Sequence, residues 1–178
     1  MKIIKTKLKD CIIIEPEIFG DDRGFFMETY QIERYKLAGI TANFVQDNRS
    51  RSSHNVLRGL HFQKNKPQGK LVTVTHGEVF DVAVDLRSDS PTFGQYESIV
   101  LSGDNKLQFY IPPGFAHGFC VLSESADFQY KCTDYYDSND EGGIIWNDTT
   151  INISWPVRNP ILSEKDKILP SFKEIYSL

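Results

Sequence analysis

Long apolar runs are missing: nowhere do the 178 residues approach the ~20 consecutive apolar positions that a membrane-spanning helix needs. The opening stretch, MKIIKTKLKDCIIIEPE, is interrupted by charges throughout, so it reads as neither a signal peptide nor an anchor. No membrane partner is expected. Cysteine is scarce. Cys11, Cys120 and Cys132 form an odd set without CxxC spacing, which argues against a disulfide framework and against a zinc knuckle. A reducing compartment suits such a chain, and the cytoplasm is the expected location. Neither sign of charge dominates. With 24 acidic against 20 basic residues, interspersed to a net −4, the chain offers no nucleic-acid stripe and no acidic tail. An anionic ligand must therefore meet a local basic cluster. Helix signals are few as well, with no repeat, linker or low-complexity segment.

What remains is strand. At 40% hydrophobic and 12% aromatic, a chain of 178 residues can close one good-sized core, so a single domain over 1–178 is expected. Short β-branched and aromatic runs are broken by Gly, Pro, Asn and Asp about every 8 to 12 residues, the spacing of antiparallel sandwiches and barrels. In KLVTVTHGEVFDVAVDLR, His76 and Gly77 read as a tight turn between two paired runs. Along the second run Phe80, Val82, Val84 and Leu86 share one face, while Val79, Asp81, Ala83 and Asp85 share the other. Further strands are expected over Ile3–Ile14, Gly24–Tyr30, Phe44–Ser50, Leu57–Gln63, Tyr96–Leu101, Lys106–Ile111, His117–Val121 and Ala126–Thr133. A helix over QIERYKLAG would end at Gly39, and another would follow Ser163 as N-cap in LSEKDKIL. The fold class is mainly β: an antiparallel, cupin-like jelly roll curling around a pocket, with a few short helices.

The segment LRGLHFQ, Leu57 to Gln63, carries an arginine and a histidine where a plain strand would carry valines. Strict alternation turns Arg58 and His61 apart; a bulge at Gly59 would turn both toward one cavity. The residues alone leave both arrangements open. Read alone, too, Tyr130 is a core tyrosine sharing a face with Phe128 and Cys132, Lys70 is a strand-edge lysine, and Asp166 is a solvated acid at a helix start.

An ordered series of motifs changes that balance: FGDDRGFFMETY, QDNRSRS, LRGLHFQ, SPTFG, PPGFAHGF, YKCTDYY, WND, and finally WP with LSEKD. Over nearly the whole chain this series resembles the dTDP-4-dehydrorhamnose 3,5-epimerase family. The resemblance implies removal and return of protons at C3 and C5 of a 4-keto-6-deoxyhexose carried on dTDP, without metal or other cofactor. Both carbons flank the C4 ketone, whose oxygen takes up the carbanion's charge. The implied base is His61, since an imidazole can stand neutral near pH 7 and still accept a proton. Asp166 orients it, Tyr130 is the proton donor on the opposite face, and Lys70 stabilises the enolate oxygen. Asp81 is expected to support Lys70 across the sheet. Substrate binding falls by motif position to Arg23, Glu28, Gln46, Asn48, Arg58 and Lys70, with His117 in the sugar or phosphate region and Tyr136 stacking on the base beside Glu141. A strand near the N-terminus is shared between subunits in this family, so Arg23 and Glu28 would complete the neighbour's pocket in a homodimer.

Three other readings compete. Related epimerases invert only C3 or only C5, or act on other deoxyketosugar nucleotides. A metal-dependent cupin enzyme would need ligand spacing that fails here, because the position two after His61 is Gln63 rather than histidine. A sugar-binding module without catalysis would keep the arginines and aromatics but would have no need of His61, Tyr130 and Lys70 together.

Overall fold

In the computed structural model, which describes residues 1–177, thirteen strands alternate with very little helix. They are β1 Lys2–Lys5, β2 Ile12–Glu15, β3 Ile18–Asp21, β4 Gly24–Met27, β5 Gln46–Ser53, β6 Leu57–Gln63, β7 Lys70–His76, β8 Glu78–Asp85, β9 Tyr96–Ser102, β10 Gln108–Ile111, β11 Phe115–Val121, β12 Ser125–Cys132 and β13 Glu141–Gly143. Helix α1 spans Ile32–Leu37, one 3-10 turn spans Asp166–Ile168, and α2 spans Phe172–Tyr176. Leu178, the last position of the expected domain, lies outside the described residues.

Two antiparallel sheets face each other, one ordered β1-β2-β10-β7-β12-β5 and the other β13-β6-β11-β8-β9. This is the expected cupin-like jelly roll. Between the sheets lies a core that includes Val72, Val79, Phe109, Phe119 and Phe128, all buried. The alternation along β8 holds: Val79, Asp81, Ala83 and Asp85 point between the sheets. Phe80, Val82, Val84 and Leu86 point outward, where Ile151, Trp155 and Phe172 of the C-terminal segment cover them. Asp85 accepts hydrogen bonds from Arg87, Ser90 and Thr92, which is the work the SPTFG motif does.

The expected β7–β8 hairpin is not one. Both runs are strands, but β7 pairs with β10 and β12 while β8 pairs with β9 and β11. Gly77, at φ +73°, turns the chain from one sheet into the other, and a Cβ there would lie 2.0 Å from the Ser125 carbonyl oxygen. Consecutive runs with a turn signal cannot reveal whether the second strand returns to its own sheet. Likewise the run Ile3–Ile14 is two strands, because Thr6 bonds the carbonyls of Leu8 and Cys11 and Asp10 takes φ +68°, folding the run onto itself. The helix at QIERYKLAG ends as expected, with Gly39 at φ +94°. The segment after Ser163 forms only the single 3-10 turn, although Ser163 does accept the Asp166 N–H. The sequence reading missed α2, which opens on a reciprocal cap between Ser171 and Glu174.

Candidate active site

The question posed by LRGLHFQ has a geometric answer. His61 pairs with His117 across β6 and β11, and Arg58 pairs with Phe119, so three steps on β6 match two on β11. The extra residue is a bulge. Gly59 adopts φ +124°, and a Cβ built on it would lie 2.6 Å from the Gly118 Cα and 2.8 Å from the His117 carbonyl oxygen. Two glycines thus meet back to back, and the bulged strand brings both Arg58 and His61 onto the wall of one cavity of about 400 Å³. Arg58 is steadied there by Nε donating to the Ser52 hydroxyl at 3.1 Å.

Both layers furnish this cavity. The five-stranded sheet supplies Arg58, His61 and His117, the six-stranded sheet supplies Lys70 and Tyr130, and the 3-10 turn supplies Asp166. Phe119 and Phe128, stacked at 4.0 Å between centroids, bridge the two sheets at its inner end.

His61 Nε2 lies 2.6 Å from Oδ1 of Asp166, whose residue is 2% exposed. Burial would raise this carboxyl's pKa; hydrogen bonds from His61, the Gly59 N–H and Ser163 outweigh that and hold it below the usual carboxylate range. An ionised Asp166 accepts the Nε2 proton, which leaves Nδ1 of His61 as the basic nitrogen.

Lys70 begins β7, and its ammonium sits 5.9 Å from the centre of the Tyr130 ring. Desolvation pulls its pKa below the ordinary lysine value, against the opposing fields of Cys132, Asp81 and Glu141. The Tyr130 phenol is pushed up, chiefly by burial, so it keeps its proton at neutral pH. Asp81 makes no hydrogen bond to Lys70, and its support of the ammonium is electrostatic. Its carboxylate lies 3.1 and 2.9 Å from Nε2 of His117.

A smaller annex of about 110 Å³ shares His61, Lys70 and Tyr130 with the main cavity and adds Tyr136 and Glu141. The Tyr136 hydroxyl donates to Glu141 at 2.8 Å, and Lys165 forms an ion pair with the same carboxylate. Gln46 Oε1 accepts the Tyr136 N–H at 3.0 Å, and its amide donates to Asn48 Oδ1 at 3.0 Å. Asn48 stands on β5, within the strand expected over Phe44–Ser50, and Glu141 stands on β13. Lys165, Ser50 and Ser163 line the main cavity and were not expected in the site, Ser163 having been read only as a helix cap. Ser50 shares the alternating face of Gln46 and Asn48, a signal that could have found it.

Arg23 and Glu28 are elsewhere. The Arg23 side chain is 89% exposed on the β3–β4 hairpin and paired with Asp21, while Glu28 pairs with Arg34 at 3.2 Å. Neither lines the cavity of its own chain. Phe19, Phe25 and Phe26 project from the same hairpin, Phe26 being 70% exposed. Gln63 is buried, binding the carbonyls of Lys66 and Tyr135 and the N–H of Asp137, so it serves loop packing. Among the described residues no group of three His, Cys, Asp or Glu side chains is placed to hold a metal ion.

A jelly roll that presents an imidazole–carboxylate pair, a lysine and a protonated phenol to one cavity between its sheets is an acid–base enzyme of the cupin-like class. Comparison with known proteins agrees. Residues 5–174 match the family model for dTDP-4-dehydrorhamnose 3,5-epimerase. The enzyme of that name from Shigella flexneri is 55% identical over 168 residues, covering 93% of each chain. The Escherichia coli enzyme is 52% identical, covering 100% of this chain and 98% of its own. A crystal structure of the Legionella pneumophila 3,5-epimerase in complex with dTDP-4-keto-L-rhamnose superposes with TM-score 0.92 at 56% identity, covering 96% of this chain and 92% of that one. The chain belongs to the dTDP-4-dehydrorhamnose 3,5-epimerase family.

Proposed function

We propose that this protein inverts C3 and C5 of dTDP-4-dehydro-6-deoxy-D-glucose to give dTDP-4-dehydro-L-rhamnose. The observation that carries the reading is the placement of His61, backed by Asp166, and of Tyr130 on opposite sheets around one cavity. Facing sheets stand about 10 Å apart, room for a hexose ring with one reagent on each face.

Nδ1 of His61 takes the proton from the carbon beside the ketone, and the electron pair moves onto the C4 oxygen. Lys70 meets that developing charge, a contribution of roughly 3 to 4 kcal/mol for a single fixed donor. The Tyr130 hydroxyl then delivers a proton to the opposite face of the same carbon. Each inversion leaves one proton extra on His61 and one missing from Tyr130, and exchange with water resets both. The second carbon repeats the cycle, and no redox partner or metal enters the chemistry.

Arg58 and Lys165 suit the diphosphate and Tyr136 suits the thymine face, with Gln46, Asn48 and Glu141 holding the annex in shape. A homodimer would bring Arg23 and Glu28 of the partner to this pocket, and the exposed Phe19, Phe25 and Phe26 favour such docking. The whole chain acts as one epimerase domain. Cys11, Cys120 and Cys132 are unpaired and buried, which suits a cytoplasmic setting, and no described helix is long and apolar enough to cross a membrane.

Incubation with dTDP-4-keto-6-deoxyglucose in D2O is the test. Deuterium at both C3 and C5 is expected; label at one carbon only would make this a mono-epimerase, and label at neither would end the proposal.

A further inference from the structure

Asp81 stands on β8 with Val79 and Ala83 as neighbours on its face, in the apolar layer between the sheets. It is 0% exposed, and among the described residues its carboxylate has one side-chain partner, Nε2 of His117. A buried carboxylate is expensive, and an apolar side chain would suit this face of the strand better. Packing therefore does not explain the residue; its partner does.

His117 is part of the cavity wall, paired in register with His61 and stacked on Phe128 with ring centres 5.8 Å apart. Burial lowers its pKa, and Lys70 and His61 push in the same direction against Asp81, so the ring is neutral near pH 7. Its Nδ1 has no hydrogen-bond partner among the described residues, and no fully enclosed side-chain nitrogen or oxygen among them lacks one, so this nitrogen has accessible surface. Since His117 lines the cavity, that surface opens onto the ligand space.

We propose that Asp81 is a positioning residue that fixes His117 as the Nε2–H tautomer, so that Nδ1 accepts a hydrogen bond from a hydroxyl of the bound hexose. A phosphate or carbonyl oxygen, which can only accept, is thereby excluded as its partner. This assigns His117 to the sugar rather than the diphosphate, and it rests on the proposed function for the identity of the ligand.

The first test is the ring-nitrogen spectrum of His117 in the ligand-free protein near neutral pH, which requires no turnover. A protonated Nε2 beside an unprotonated Nδ1 is expected, and a protonated Nδ1 would overturn the proposal. The second test is Asp81→Leu, with its melting curve as the control for folding. The expected result is a roughly tenfold rise in KM for the 4-keto sugar nucleotide, with binding of dTDP itself unchanged. Unchanged KM, or equal loss of both ligands, would reduce Asp81 to a structural group. Should the variant not fold, the spectrum of the unsubstituted protein decides alone. Should the wild-type protein not exchange deuterium, the epimerase reading fails while the tautomer stands or falls on its own spectrum.

Discussion

His61 and Asp166 are 105 positions apart in the chain, yet Nε2 of one lies 2.6 Å from Oδ1 of the other. The contact fixes which nitrogen carries the proton. Asp166→Asn would offer an N–H where a carboxylate oxygen stands, turning the imidazole to its other tautomer and removing the lone pair from Nδ1. Turnover is expected to fall on the order of 10²- to 10⁴-fold with the melting temperature little changed. Coupled-reductase kinetics on the variant would measure this, and wild-type turnover would refute the assignment.

With His61 as the base and Tyr130 as the donor, as proposed, Tyr130→Phe is expected to separate the two halves of the reaction. The base still removes the proton, so deuterium should continue to wash into the substrate, but delivery to the opposite face is lost. Exchange without inversion is the expected outcome by NMR. Exchange and inversion falling in equal measure would move the donor role to another group.

Lys70 illustrates a conflict between folding and function. Its ammonium is desolvated in the fold, which lowers its pKa, so the charged form is a burden on stability at any pH below that folded value. Lys70→Met should raise the melting temperature while reducing turnover about a hundredfold or more. A variant both slower and less stable would contradict this account of the site.

Asp85 sets a test of stability against pH. Burial would raise its pKa, but hydrogen bonds from Arg87, Ser90 and Thr92 overcome this and hold it at about 2, down from 3.8. A carboxyl depressed by folding stabilises fully above its unfolded value, and the contribution is lost as pH falls toward the folded one. About 2 kcal/mol should disappear as pH falls from about 4 to about 2, read by urea unfolding at each pH. Replacing Ser90 and Thr92 by Ala and Val should flatten that slope.

The hairpin carries the prediction on assembly. If Phe25 and Phe26 dock on a second copy, replacing both by Ser should raise the dimer dissociation constant roughly a hundredfold or more, visible by light scattering. Unaltered dimers would place the interface elsewhere.

Strand positions and the alternating face of β8 were legible in the sequence because a two-residue period is a local property. Sheet membership was not: KLVTVTHGEVF reads as a hairpin, and only the pairing of β7 with β12 and of β8 with β11 sends the halves to different layers. The bulge at Gly59 was left open for a similar reason, since the Gly118 that meets it lies on another strand. His61, Lys70, Tyr130 and Asp166 were nominated by motif resemblance, and the fold brings them to one cavity. Asp81 acts on Lys70, which hangs from the opposite sheet, only through its field, and its hydrogen bond to His117 on the neighbouring strand β11 was not foreseen, because sequence spacing does not show which strands lie side by side. Arg23 and Glu28 lie away from their own chain's cavity, which agrees with the expectation, drawn from the resemblance, that they serve a neighbouring chain.

Phe119 hangs from one layer and Phe128 from the other, in face-to-face contact on the wall of the cavity that His61 and Tyr130 also line. These rings act as a spacer: shaving either one would let the walls draw together and alter the gap across which a stereocentre is turned over. Substitution in the apolar interior at either ring therefore bears on the shape of the ligand space as well as on stability.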